Sequence, residues 1–352
     1  MNIKSFTSIL LLTLLFLNTS CSEEFESSSS ANDFFHLKYE GYYMPVLVRG
    51  NTTSRKILLF VQGGPAINTI DFADVDYPRW KNSLEKKFAI AYYEPRGMGN
   101  RQGNFDLEEI SIDQYLDDLH QVAKSVRQQY DAEVYLLGHS FGGYLTYRYM
   151  IKYGNDNVVA KYITANGPAT TDYDTAARWD FRRQFLMNEA TGAIAEDMDL
   201  TKWEEILQWC SGHPVLDTDD EFTQWNAYVE ENININYEEE LPTTSDYLDV
   251  AFFSSYNPLT ASLNMNVASM VENKLQEGLR AFPLIKNLSE LEKPLLMITG
   301  RHDDVCPPEE AQHIYENISS AEKRIIILPD AGHHTFHDQP ELFNEAIEEF
   351  IK

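Results

Sequence analysis

The sequence predicts an α/β protein: a mostly parallel central sheet, helices on both faces, and a helical domain inserted late in the chain. Three observations predict it. From Phe34 onward, short apolar runs of strand length alternate with longer stretches of helical spacing. Most of these runs end in glycine and polar residues, as loops leaving the carboxyl end of a buried strand do. The alternation stops between Pro168 and Phe282 and resumes at Pro294.

The chain begins with a leader. Met1 to Ser20 carries a single Lys4, an apolar core from Ile9 to Leu17, and Asn18-Thr19-Ser20 ahead of Cys21. A positive start, a short apolar region and small residues before a cut mark a secretory signal, with a core too short to span a bilayer comfortably. The ending resembles a bacterial lipobox, which would leave Cys21 as a lipidated N-terminus. Asn18 departs from the Leu or Val of such boxes, and an ordinary signal cut nearby is the alternative. Residues 21–33, rich in Glu and Ser, are expected to be a flexible tether. Acids directly behind Cys21 also resemble the surface-export signal of Bacteroidetes-type lipoproteins. The expected location is therefore the outer membrane, on its periplasmic face or at the cell surface. Lipid would be the only anchor, because no second apolar segment is long enough to cross.

Composition bounds the rest. The formal net charge of −27 argues against nucleic acid and against anionic membrane surfaces as partners. An apolar content of 43% in about 320 mature residues suffices for one sizeable core, or one core plus a smaller domain. Beyond Cys21 only Cys210 and Cys306 remain, far apart, so no disulfide framework is expected. No repeat of domain-building length is visible.

Taken in order, Phe34 to Glu40 and Tyr42 to Arg49 read as two strands joined at Gly41, followed by a turn at Asn51-Thr52-Thr53-Ser54. Ile57 to Val61 is a buried strand ending in Gln62-Gly63-Gly64-Pro65, and Phe88 to Tyr93 one ending in Glu94-Pro95-Arg96-Gly97-Met98-Gly99. Ser111 to Tyr130 is an amphipathic helix with Ser111 as N-cap. Val134 to Leu137 is a strand running into Gly138-His139-Ser140-Phe141-Gly142, and Tyr144 to Tyr153 a helix. Val158 to Thr164 is a strand ending in Asn166-Gly167-Pro168. Residues 168–282 read as a helical cap, with 22 Asp and Glu against 6 Lys and Arg, and so hold most of the excess charge. Leu295 to Thr299, helix Glu309 to Ile318, strand Arg324 to Leu328 and helix Glu341 to Ile351 complete a core made of residues 34–167 and 283–352.

Ligands of such sheets bind at the carboxyl ends of the strands. Ser140, Asp303 and His333 each sit just past a predicted strand, in that order. A Ser hydroxyl becomes a nucleophile when an imidazole takes its proton, and the imidazole is held in one tautomer by a buried carboxylate. The strand–turn–helix context of Gly138 to Gly142 exposes the serine on a strained turn. Asp304 competes with Asp303, and His334 and His337 with His333. Phe141 and Gly64 would supply the two backbone N–H groups of an oxyanion hole. A metal set of His302, Asp303, His333 and His337 is a weaker reading, and no cofactor is expected. His139 reads as the variable residue of the turn and His120 as a helix-face residue.

Gln62-Gly63-Gly64-Pro65, Glu94 to Gly99, Gly138 to Gly143, Gly300-Arg301-His302-Asp303 and Ala331-Gly332-His333 together resemble the proline iminopeptidase branch of the α/β hydrolases. The resemblance implies that fold with its helical cap, the Ser140–Asp303–His333 triad, and removal of N-terminal residues from short peptides. The family's H-G-G-P-G is here Gln62 to Ala66, and its D-x-R-G-x-G-x-S is here Glu94 to Arg101. For the family's amine-binding glutamates, Trp225, Tyr228 and Glu230 resemble a W-x-x-W-E pattern one residue out of step, and Val271-Glu272-Asn273 resembles I-E-N. An acidic cap can hold a free α-ammonium beside the scissile carbonyl; a solvated acidic face is the simpler reading of the same charge. A carboxylesterase for small neutral acyl esters is the alternative activity, and a ligand-binding protein with negligible turnover the alternative class. Oligomeric state is left open. If Cys21 is lipidated, the mature protein partitions into detergent, and Cys21→Ser releases it or blocks its processing; an unmodified mature N-terminus elsewhere would exclude the lipoprotein.

Overall fold

The computed structural model describes residues 30–61, 63–64, 69–75, 79–97, 106–216, 218–232 and 258–352. The leader with Cys21 lies outside them, as do Gln62, Pro65, Ala66 and the stretch from Met98 to Arg101. The strands are β1 (Ser30–Tyr39), β2 (Tyr42–Asn51), β3 (Lys56–Val61), β4 (Ala89–Tyr93), β5 (Glu133–His139), β6 (Val159–Ala165), β7 (Leu295–Gly300) and β8 (Lys323–Leu328). They form one eight-stranded sheet in the order β1-β2-β4-β3-β5-β6-β7-β8. Strands β3 to β8 are parallel, and the β1–β2 hairpin joins antiparallel through β2 to β4. From β3 the chain moves outward to β4 and then returns to β5 on the other side, so β3 and β5 flank the point where the winding reverses.

The alternation of side chains explains why both faces are covered. Ile57, Leu59 and Val61 of β3 pack into one apolar cluster, Leu58 and Phe60 into another. Val134 and Leu136 of β5 divide from Tyr135 and Leu137 in the same way. A strand buried on both sides needs an apolar residue at every position, which is why these runs lack the polar alternation of a half-exposed strand.

The helices are α1 (Ile70–Asp74), α2 (Leu84–Lys87), α3 (Ile112–Tyr130), α4 (Phe141–Tyr153), α5 (Thr175–Ala195), α6 (Leu200–Gly212), α7 (Asp219–Asn232), α8 (Pro258–Ala281), α9 (Pro308–Asn317), α10 (Thr335–Asp338) and α11 (Pro340–Phe350). Ser111 caps α3 as expected, its hydroxyl accepting from the Gln114 N–H at 3.1 Å. Helices α3 and α4 cover one face of the sheet, while α11 and Trp80 cover the other. Helices α5, α6 and α7 have their own core of Trp179, Leu186, Trp203, Ile206, Cys210 and Trp225. This is the expected helical insertion. Among the described residues no helix is long and apolar enough to cross a membrane.

Two boundaries shift. Ser30 to Asp33, expected in the tether, already pair with Val48 to Asn51 of β2, because a hairpin strand continues while its partner offers hydrogen bonds. The end of the cap is not a break either. Val271, Leu275 and Leu279 of α8 are buried in the sheet's own cluster. A Cβ on Gly278 would stand 2.7 Å from Ile112 Cγ1, so this part of α8 lies directly on α3.

The loop after β4 has a structural reason for its arginine. Arg96 is buried, and its guanidinium donates to both oxygens of Asp118 on α3, at 2.8 and 2.7 Å. It also lies over the Tyr42 ring, 4.2 Å from the centroid, while the Tyr115 hydroxyl donates to its carbonyl. A planar fork on a carboxylate thus ties β4, α3 and β2 together. Removing the carboxylate strands a buried cation. Asp118→Ala is therefore expected to destabilise the fold by about 3 kcal/mol or more, read as a lower urea midpoint, whereas Glu109→Ala, at the exposed rim of the same arginine, costs under about 1 kcal/mol.

Candidate active site

β5 passes into α4 through Ser140, whose backbone is held at φ 53° and ψ −121°. Few L-residues adopt that conformation. The turn is so tight that a Cβ on Gly138 would lie 2.2 Å from the Gly142 carbonyl oxygen. The Ser140 carbonyl accepts from Gly143 and Tyr144, and its N–H donates to Ala165 at the end of β6. Phe141 is the first residue of α4, so its N–H has no acceptor within the helix. The loop after β3 closes over the same point: a Cβ on Gly63 would meet the Ser140 Cβ at 2.6 Å, and Gly64 beside it adopts φ 57°.

The structure brings His333, not His334 or His337, to Asp303, not Asp304. His333 Nδ1 lies 3.0 and 3.1 Å from the two Asp303 oxygens. Asp303 is fully buried and accepts from three further donors. These are the N–H groups of Val305 and Cys306, each at 2.9 Å, and the Asn166 amide at 2.7 Å. No hydrogen bond joins the Ser140 hydroxyl to His333 among the described residues. His139, the residue before Ser140, has its Nε2 2.9 Å from the His333 carbonyl oxygen and its ring 5.0 Å from the His333 ring.

Charge follows the packing. Burial, the largest influence, pulls the His333 imidazole down, but the charge and hydrogen bond of Asp303, aided by Asp304 and Asp338, more than offset it; the net shift is upward. His139 is pushed well below the ordinary value by burial and then by His333 and His334, so it stays neutral. Asp304 is raised by burial and by the neighbouring Asp303 charge. Asp303, Cys306 and His333 place one donor atom each within 4.8 Å of one another. Both Asp303 oxygens already accept N–H bonds, and burial pushes the Cys306 thiol well up, so this set is a poor cation cage.

The sequence marked Asn166 only as a strand end and His139 only as the variable residue of the turn, and did not single out Glu310. Asn166, buried at φ 53°, donates to Asp303 and to the Gly332 carbonyl and accepts from Thr335, joining three loops. A polar residue at the end of the strand beside the serine strand was its only signal. Buried Glu310 accepts from the N–H groups of Ala169 and Thr170 and so hooks the start of the cap onto α9. His120 is a buried packing residue, 2.8 Å from the Tyr149 hydroxyl and stacked on Tyr153. Trp225 and Tyr228 belong to the cap's core, while Glu230 and Glu272 are exposed.

A model of the alpha/beta hydrolase fold matches residues 56–340. The chain belongs to the α/β-hydrolase family. This hydrolase is 20% identical to the probable aminopeptidase YbaC of Bacillus subtilis over 86% of its own length and 91% of that protein's. It is 21% identical to a proline iminopeptidase of Saccharolobus solfataricus, covering 88% of each chain. Among solved structures, an esterase from Exiguobacterium antarcticum superposes with a TM-score of 0.53 at 20% identity, over 91% of this chain and 99% of that one. The proline iminopeptidase-related protein of Thermus thermophilus gives 0.54 at 17%, over 91% and 97%. At such identities the superpositions establish the fold.

On a neutral aryl ester, Asp303→Asn is expected to lower kcat by orders of magnitude and Asp304→Asn only mildly. The acid limb of kcat/KM should fall above the ordinary imidazole value of 6.5 and move down in Asp303→Asn. The same upward shift makes protonated His333 stabilising at pH below its unfolded value, a contribution lost as pH rises through the folded value. Activity and that share of stability should therefore change in opposite directions over one interval above pH 6.5.

Proposed function

We propose that this α/β hydrolase is a serine hydrolase, and more narrowly an aminopeptidase of proline iminopeptidase type that removes N-terminal residues from short peptides. The observation that carries the reading is the buried Asp303–His333 pair at the strand ends beside a serine held on a strained turn. In this mechanism His333 Nε2 takes the Ser140 proton as the hydroxyl oxygen bonds to the scissile carbonyl carbon. The N–H groups of Phe141 and Gly64 receive the oxyanion. The imidazolium, steadied by Asp303, passes its proton to the leaving amine as the carbon–nitrogen bond breaks, and water repeats the sequence to free the acid. The narrower reading rests on the aminopeptidase and proline iminopeptidase names of the curated relatives. Export as a lipid-anchored outer-membrane protein belongs to the same proposal.

The amine needs a fixed negative charge. Most described acids of the cap do not offer one: Glu196, Asp197, Asp199, Glu204, Asp219 and Asp220 are all exposed. Asp304 is the better candidate, being half-buried and close enough to His333 to raise its pKa. A carboxylesterase acting on small neutral acyl esters is the second reading, favoured by that outward-facing charge. An unblocked prolyl arylamide should be cleaved at least about tenfold faster than its N-acetyl form, a preference that shrinks in Asp304→Asn and persists in Glu230→Gln and Glu272→Gln. Equal rates on blocked and unblocked arylamides would sink the aminopeptidase and leave the serine hydrolase standing.

A further inference from the structure

The described acids of the cap lie mostly outside, yet two arginines of α5 lie within electrostatic reach of the loop that carries the dyad's acid. Arg182 acts electrostatically on Asp304 and Cys306, and Arg178 on Cys306 and Glu310. Both line a cavity of about 180 Å³ with Asp172, Thr175, Trp179 and Phe222. Asp172 is committed to an ion pair with Arg178. Arg182 makes no hydrogen bond to any described residue; its Nε is buried without an acceptor, and its guanidinium lies 5.0 Å from the Trp225 ring centroid. Stacking on an indole offsets part of the cost of burying a cation but leaves the N–H donors unsatisfied. Burial first, and Arg178 second, pull Arg182 below the ordinary arginine value despite Asp304 and Asp172, so the nearby carboxylates do not balance it. The cavity also includes Thr175, the first residue of the 21-residue helix α5.

We propose that Arg178 and Arg182 form a carboxylate-binding subsite of this hydrolase, so that its substrate carries an anionic group away from the scissile carbonyl. The proposal rests on the hydrolase reading and names the substrate class more narrowly. A planar guanidinium with free donors matches a carboxylate in two parallel hydrogen bonds. Trp179 and Phe222 give the apolar walls for a short chain behind it. The carboxylate has two possible sources, the free C-terminus of a short peptide or a carboxylate on the acyl part of an ester.

Calorimetric titration of the mature protein with 4-phenylbutyrate and with its amide, 4-phenylbutyramide, tests the subsite without turnover. The acid should bind about tenfold tighter or more. That ratio should collapse in Arg182→Gln and in Arg178→Gln and recover in part in Arg182→Lys. Equal affinity for acid and amide, or a ratio undiminished in both Gln variants, overturns the proposal. Turnover of prolyl-leucine against prolyl-leucinamide, and of the half-ester 4-nitrophenyl adipate against 4-nitrophenyl heptanoate, assigns the source. Preference for the acid in the first pair places it on the leaving peptide, and in the second on the acyl chain; turnover with preference in neither pair also overturns the subsite. Fluorophosphonate labelling of Ser140 reports on the hydrolase separately. Acid-selective binding without labelling would sink that reading and leave the subsite.

Discussion

The backbone at Ser140 constrains everything around it. Holding a non-glycine residue at φ 53° and ψ −121° costs about 1–3 kcal/mol, so the surroundings must over-determine it. They do so with backbone bonds: its N–H to Ala165, and its carbonyl from Gly143 and Tyr144. The bond to Ala165 makes the position of β6 a condition of the turn. The close approach of Gly63 makes the loop after β3 another, since any side chain there would strike the serine. Strand β5 therefore has to lie between β3 and β6, at the reversal of the winding, for the hydroxyl to stand at the rim of the sheet with the amide end of α4 behind it.

The buried Asp303 carboxylate makes a second demand on the same rim. A carboxylate without solvent is tolerable only where donors replace the lost water, and its donors come from separate strand ends. Asn166 follows β6, Val305 and Cys306 follow β7, and His333 follows β8. The parallel register of β6, β7 and β8 thus fixes the orientation of one imidazole. His139, at the end of β5, bonds to the backbone of that same histidine. In the proposed mechanism its neutrality matters, because a second imidazolium beside His333 would oppose the protonation that proton transfer from Ser140 would require.

What the sequence made legible was local. The run from Val134 to Phe141 contains its own strand, turn and helix start, and the Ser111 cap needs only Gln114. The order of Ser140, Asp303 and His333 could be read because each follows a strand directly. The choice of Asp303 over Asp304 depended on the spacing after Gly300, and it is Asp303 whose oxygens lie beside His333 Nδ1. Asn166, Glu310 and the Arg96–Asp118 pair were not legible, because their partners lie far along the chain and no local pattern marks them. The cap misled for a related reason. Trp225 and Tyr228 have the spacing of a substrate-binding motif, but aromatic residues on short helices must first build a core, and here they are spent on it.

Charge in the cap shows how composition and placement differ. A window with 22 acids and 6 bases reads as an acceptor for cations or, more simply, as a solvated face. Exposed carboxylates act mainly through the long-range field, which draws in positive groups and is screened by salt. Recognition at close range falls instead to the few charges held out of water. Arg182 lies within electrostatic reach of both Arg178 and Asp304. On the proposed reading, a short peptide meets both conditions, with an ammonium drawn by the field toward Asp304 and a carboxylate received by the arginine pair. A neutral ester would engage neither charge, and so would gain no orientation from the cap before the chemistry at Ser140 begins.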